Sequence, residues 1–258
     1  MIEFDGRGIL LDIEGTTSSV SFVYDVMFPF VRRELEPYLE THWGESDLAA
    51  ACDQIARDAG HDSLDAWATE ASGAADDVEP AAAQRKLVAS EVARLMDGDV
   101  KATGLKQLQG LIWRDGFESG ELLAHVYDDV PPALERWRLA GITMRIYSSG
   151  SVQAQKLFFG HTTAGNLLHY FSGHDDTTTG GKKEAASYRR ITADYDMPAE
   201  ELLFLSDVPA ELDAAREAGL HTALVVRSPD AAELSRSAAN GHPVIRSFDE
   251  INVIPTGN

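Results

Sequence analysis

The chain begins with a short apolar run, Gly8 to Leu11, that turns abruptly polar at Asp12. Ile9, Leu10 and Leu11 show no alternation, the pattern of a strand buried on both faces inside a parallel sheet. Beyond it the apolar positions keep helical spacing for about a hundred residues, with no convincing strand among them. "SFVYDVMFPFVRRELEPYLETHW" predicts a helix in which Pro29 is a kink or a start. "SDLAAACDQIARDAG" predicts another, and "PAAAQRKLVASEVARLMDGD" a further one with Pro80 in its first turn. The alanine- and acid-rich "ATEASGAADDVEPAAAQ" between these two reads as a loop or linker. "TGLKQLQGLIWRDGFESGELLAHVYDDV" closes the region with one more helix and a glycine-punctuated turn.

From Val130 the rhythm changes to strands and helices in alternation. "PPALERWRLAG" predicts a helix ended by Gly141, "ITMRIYSSG" a strand breaking at Ser148, and "SVQAQKLFFGHT" the next helix. "KEAASYRRITADY", "PAELDAAREAG" and "AAELSRSAAN" follow as helices, with "ELLFLSD" and "HTALVVR" as strands between them. Such alternation argues for parallel βαβ units. The fold class is therefore α/β: a three-layer, Rossmann-like parallel sheet core with a helical insertion between its first and second strands. The core takes residues 1–20 and 126–258, and the insertion 21–125.

In open parallel sheets, ligands gather beyond the carboxyl ends of the strands. Four polar clusters fall at such ends. Asp12 and Glu14 follow the first strand, and residues two apart in extended chain point to one side. Ser148 and Ser149 follow "RIY", where hydroxyls and N–H groups suit an anion. Lys182 and Lys183 follow two glycines, and Asp207 ends "LFLS" with Glu211 and Asp213 in the helical turn behind it. Each cluster has an ordinary explanation: N-capping for the serines, a solvated pair for the lysines, the helix dipole for the first-turn acids. Together they supply a carboxylate nucleophile, anion-binding hydroxyls, a lysine and a carboxylate for a hard divalent ion. That set fits phosphoryl transfer, which rests on positioning and charge compensation.

Charge sharpens this picture. Against 22 Lys and Arg stand 42 Asp and Glu, a formal net charge of -20. Nucleic acid and anionic membranes are disfavoured partners, and an anionic substrate needs local help from a metal, a lysine or helix N-termini. The acidity itself is read as solubility. The single cysteine, Cys52, excludes an internal disulfide and reads as a core or semi-buried thiol on a helix. With no leader pattern and no run of bilayer length, a soluble cytoplasmic protein is expected.

The motifs also carry a resemblance. The order of "DIEGTTSS", "WRDGFESGELLAHVYDDV", "YSSGSVQAQKLFFGHT", "SYRRI" and "LFLSDV" resembles the haloacid-dehalogenase-like phosphohydrolases, and within them the enolase-phosphatase E1 (acireductone synthase) family. The similarity runs from Gly8 to about Arg227 and thins between Trp43 and Gln84. It implies that Asp12 is the nucleophile and that Glu14, in the place of the superfamily's second aspartate, is the general acid/base. It further implies one Mg²⁺ held by Asp12, Asp207 and the main-chain carbonyl of Glu14. Ser148 and Ser149 would bind phosphate, Lys182 would neutralise it, and Arg114, where relatives commonly carry lysine, would contact substrate. The insertion would be a cap domain that closes over the core and helps to select the substrate.

The expected reaction converts 2,3-diketo-5-methylthiopentyl-1-phosphate, a small phosphorylated diketone, into an enediol phosphate and then releases the phosphate. The competing readings are a generic magnesium-dependent small-metabolite phosphatase of the same superfamily and a non-catalytic binding module. A monomer is the default, since no helix shows a surplus of apolar surface.

Overall fold

The computed structural model describes residues 1–72, 79–227 and 240–254. The chain divides into two compact units, Met1–Val23 with Leu123–Asn258, and Tyr24–Leu122.

The first unit holds the strands β1 (Ile2–Phe4), β2 (Gly8–Leu11), β3 (Thr143–Tyr147) and β4 (Phe171–Asp175). It continues with β5 (Leu202–Ser206), β6 (His221–Val225), β7 (Val244–Ile245) and β8 (Ile251–Val253). Six of them form a sheet in the order β4-β3-β2-β5-β6-β7, and β1 pairs with β8 separately. All pairings are parallel. β2 is central and fully buried, as its unbroken apolar run requires. Its register sets Leu11 beside Ile146 on one side and Leu205 on the other, so the three strands end level. From β2 the chain winds outward through β3 to β4, then returns to β5 and winds the opposite way. β2 and β5 therefore flank the reversal point, where such sheets open a crevice for ligands.

After β2 comes the single-turn α1 (Val20–Phe22), with Ser19 Oγ accepting from Phe22 N. The second unit is helical: α2 (Phe28–Thr41), α3 (Ser46–Asp58), α4 (Leu64–Ser72), α5 (Pro80–Asp97) and α6 (Thr103–Glu118). Pro29 lies in the first turn of α2, which follows directly on a π-helical stretch over Val23–Met27, so the proline falls where the helix changes its winding. α3 and α6 touch through Gly104, where a Cβ would lie 2.4 Å from Ile55 N. Cys52 is buried on α3, and burial followed by the charge of Asp53 pushes its thiol up to about 12. It is an inert core thiol.

The expected linker over 68–84 is corrected at both ends, which belong to α4 and α5. Alanine and glutamate favour helix there, with caps in place: Ser63 Oγ accepts from Ala66 N, and the Glu79 carboxylate accepts from Ala81 N and Ala82 N. Its middle, 73–78, lies outside the described residues, as does the predicted helix over 231–240 except for Asn240.

The first unit resumes with α7 (Val130–Leu139), α8 (Val152–Gly160), α9 (Ala185–Asp194) and α10 (Pro209–Glu217). The edge strand β4 was not foreseen. Its sequence "FSGHD" interrupts the apolar pattern with Gly173 and His174, as an edge position tolerates. Gly173 has a packing reason, since a Cβ there would lie 2.3 Å from the Arg145 guanidinium.

Candidate active site

Asp12 stands one residue beyond β2, its N–H still bonded to Leu205 O at 3.0 Å, so it enters the crevice in strand register. Its side chain is buried. Oδ1 accepts from Ile13 N at 2.8 Å and lies 2.7 Å from Lys182 Nζ, while Oδ2 accepts from Ser206 Oγ at 3.1 Å. The chain then curls tightly. The Ile13 carbonyl collects the N–H groups of Thr16, Thr17 and Ser18, and Thr17 Oγ1 donates to Asp12 O at 3.1 Å. Gly15 takes φ 71, and a Cβ on it would lie 2.1 Å from Asp207 Oδ2, so only glycine fits. This close approach sets Asp207 against the turn. Among the described residues, the Glu14 carbonyl accepts none of the turn's hydrogen bonds.

Lys182 Nζ lies 2.7 Å from both Asp12 Oδ1 and Glu211 Oε2. Burial opposes its charge, but the two carboxylates outweigh it and hold the ammonium charged. Lys183 is exposed. Burial first, then the charge of Asp12, pushes Asp207 up to about 7, and the same pair of causes takes Glu211 to about 7. Glu14 is raised by burial and by Asp12, and its Oε2 accepts from Ser148 Oγ at 3.2 Å. The crevice thus gathers Asp12, Glu14, Asp207 and Glu211 around one ammonium, an excess of negative charge that would repel a phosphate dianion.

That excess is what a divalent cation would relieve, and the donors are of the right kind. Asp12 and Asp207 offer carboxylate oxygens, and Glu14 offers its uncommitted carbonyl. Among the described residues no three His, Cys, Asp or Glu side chains form a ready-made metal cage. Mg²⁺ needs none, because it takes one or two carboxylates and completes its octahedron with water and substrate oxygens.

The serine loop differs from expectation in one respect. The N-terminus of α8 is not a free anion site: Val152 N donates to Asp176 Oδ2 at 3.0 Å, and Ala154 N to Ser151 Oγ at 3.2 Å. Gly150 N donates to Ser148 Oγ at 3.3 Å, and that hydroxyl donates to Glu14 Oε2, which sets it at the mouth of β3 beside Glu14. Ser149 is exposed and keeps its hydroxyl available. Buried Gln155 fixes the loop, its Nε2 donating to Gly150 O at 2.9 Å and Asp175 O at 2.8 Å. Gln155→Ala should leave the Gly150 carbonyl unpaired and Asp175 O with Ser148 N alone, at 3.2 Å, and destabilise the protein by about 1–3 kcal/mol, read as a lower denaturant midpoint. An unchanged midpoint would show the loop is held by other bonds.

Arg114 belongs to the helical unit, on α6, where its Nη1 lies 3.8 Å from Asp47 Oδ2. It is not among the residues that the α/β unit brings together. Two participants were missed. Ser206 Oγ bridges Asp12 and Glu211, at 3.1 Å and 3.0 Å, and Glu211 shares Lys182. No local signal marks Glu211, a first-turn acid of α10 that the helix dipole alone explains.

Known proteins match this architecture. The family model for haloacid dehalogenase-like hydrolases matches residues 7–219. A protein of Stenotrophomonas maltophilia (strain R551-3) named enolase-phosphatase E1 is 47% identical over 249 residues, covering 96% of this chain and 99% of its own. One of the same name from Drosophila willistoni is 42% identical, covering 95% and 96%. The crystal structure of the UTR4 protein from Saccharomyces cerevisiae superposes with a TM-score of 0.73 at 31% identity, over 95% of this chain and 100% of that one. The magnesium-bound YfnB of Bacillus subtilis, 17% identical with a TM-score of 0.53 over 95% and 96%, shares the fold. Matched nearly end to end and through both of its units, the chain belongs to the enolase-phosphatase E1 family of the haloacid dehalogenase-like hydrolases.

Proposed function

We propose that the chain enolises 2,3-diketo-5-methylthiopentyl-1-phosphate and then dephosphorylates it to 1,2-dihydroxy-3-keto-5-methylthiopentene, the acireductone synthase reaction of methionine salvage. One observation carries the phosphatase half: a buried carboxylate, Asp12, held 2.7 Å from an ammonium at the reversal point of a parallel sheet. The diketone rests on likeness to proteins named enolase-phosphatase E1 along nearly the whole chain.

In the enolisation, Glu14 takes the proton from C1, the electron pair moves to the C2 oxygen, and that oxygen takes a proton from solvent to complete the enol; Glu14 returns a proton to solvent at the end of the cycle. In the second step an Asp12 oxygen bonds to phosphorus as the bond from phosphorus to the C1 oxygen breaks, and Glu14 returns a proton to that oxygen. Water then attacks phosphorus, the Asp12–phosphate bond breaks, and Glu14 accepts the proton of the water. Ser148 and Ser149 hold the phosphoryl oxygens, and Lys182 neutralises them as the group transfers. Bound Mg²⁺ supplies the positive charge that lets a dianion approach a carboxylate and polarises the ketone oxygen.

Asp207→Asn should weaken Mg²⁺ binding at least about tenfold in a calorimetric titration and remove most turnover. Full activity of that variant in the presence of a chelator would refute the metal assignment. The substrate reading is tested by mixing protein, Mg²⁺ and the diketo phosphate while following enediol absorbance and free phosphate. Sugar phosphates hydrolysed as efficiently, with no enediol formed from the diketone, would favour the generic phosphatase. The partner is then this small molecule and not nucleic acid, for which a net charge of -20 is unsuited. Among the described residues no helix is long and apolar enough to cross a membrane.

A further inference from the structure

The segment "SYRRI", Ser187 to Ile191, has no part in the chemistry above, yet it lies against the loop that delivers Lys182. Four consecutive main-chain carbonyls of that loop each accept from a different side chain. Arg190 Nη1 donates to Thr179 O. Tyr147 OH donates to Gly180 O at 2.8 Å, Ser187 Oγ to Gly181 O at 2.8 Å, and Tyr188 OH to Lys182 O at 2.6 Å. Three of these donors come from α9 and one from the last residue of β3.

The arrangement is built, not incidental. Tyr147 and Tyr188 are completely buried, and their rings meet edge to face at 5.5 Å. Burial raises both phenols, so each stays a neutral donor. Gly180 takes φ 147, and a Cβ there would lie 2.2 Å from Ser187 Oγ, so the glycine is the condition for the hydroxyl's approach. Lys182 Nζ lies 5.9 Å from the centroid of the Tyr147 ring, so one tyrosine both ties the loop and borders the ammonium.

A loop with two adjacent glycines would otherwise be free to shift. The shift would matter most during phosphoryl transfer. As Asp12 bonds to phosphorus it loses its charge and its hold on Lys182, whereas Glu211 keeps its own. The ammonium must then pass to the phosphoryl oxygens and not follow Glu211, which requires a fixed starting point for its long side chain.

We infer that Tyr147, Ser187, Tyr188 and Arg190 form a clamp on main-chain residues 179–182 whose role is to position Lys182 for the transferred phosphoryl group. The inference rests on Lys182 being the cation that neutralises that group.

Tyr188→Phe keeps the ring and removes one donor, and Ser187→Ala removes another. Either should lower kcat about ten- to a hundredfold with KM little changed, as expected for a misplaced catalytic group. Vanadate, which mimics the five-coordinate phosphorus, should bind more weakly in proportion to the loss of kcat, while inorganic phosphate binding changes less. Adding Tyr188→Phe to Lys182→Met should weaken vanadate no further than Lys182→Met alone, since coupled residues are not additive. Full phosphate release by Lys182→Met would refute the reading of Lys182 itself. Loss in Lys182→Met with normal kcat in folded Tyr188→Phe and Ser187→Ala would overturn the clamp alone. So would vanadate losses that add in the double variant. Ser187→Ala decides the matter where Tyr188→Phe does not fold.

Discussion

Replacing Asp12 with asparagine will stop phosphate release, by on the order of 10⁴-fold or more, while the fold survives. The local geometry accepts the amide. Ile13 N and Lys182 Nζ both face Oδ1, so the amide oxygen takes that place. The amide nitrogen then faces Ser206 Oγ, whose single proton is already contested by Asp12 Oδ2 and Glu211 Oε2 at 3.1 Å and 3.0 Å. In the variant that hydroxyl donates to Glu211 and accepts from the amide, so no polar atom is stranded. What disappears is the nucleophile. Because the earlier proton transfer does not use Asp12, the enediol phosphate should accumulate, with its absorbance rising and no free phosphate appearing. A phosphate mimic such as a metal fluoride should sit in line with the Asp12 carboxylate in a crystal of the unmodified protein. Normal phosphate release by Asp12→Asn, or a mimic bound away from Asp12, would remove this residue from the displacement.

The parts of this site that the sequence announces are those that lie in strand register. An unbroken apolar run forces β2 into the middle of a sheet, and the residue after it must emerge at the carboxyl end. The same reasoning finds Ser148 after β3 and Asp207 after β5. The winding order that makes β2 and β5 neighbours is not written in any local pattern, because it depends on which edge each helix crosses. Glu211 shows the matching failure. An acid in a first helical turn is explained by the dipole alone, so nothing in the sequence demands that it face inward. Only the distance from Lys182 to both Asp12 and Glu211, 2.7 Å each, reveals that the ammonium is shared. The serine loop errs in the opposite direction. Hydroxyls before a helix suggest an open anion cradle, yet Asp176, from the chain beyond β4, reaches back to occupy the Val152 N–H. That competitor comes from 24 residues away, a range that spacing does not see.

Replacing Glu14 with glutamine separates the chemical roles within the crevice. The substitution keeps the shape of the side chain, and its amide oxygen can still accept from Ser148 Oγ, which lies 3.2 Å from Oε2 in the native protein. The main-chain carbonyl at this position is untouched, so Mg²⁺ binding should be retained in a calorimetric titration. Removing a like charge from the neighbourhood of Asp12 should not weaken the fold, since burial already disfavours the ionised form of Glu14. What the amide lacks is the capacity to take a proton and give it back. General acid–base assistance is worth about 10²- to 10⁴-fold, and enol formation and phosphate release should both fall by that order. The second loss should depend on the leaving group. A substrate whose alcohol leaves easily without protonation, such as an aryl phosphate, should be cleaved by Glu14→Gln with a smaller deficit and should accumulate phosphoenzyme, because opening Asp12–phosphate with water still needs the base. Enolisation at the native rate in Glu14→Gln, alongside slow phosphate release, would confine Glu14 to the phosphatase half and assign the C1 proton to another base.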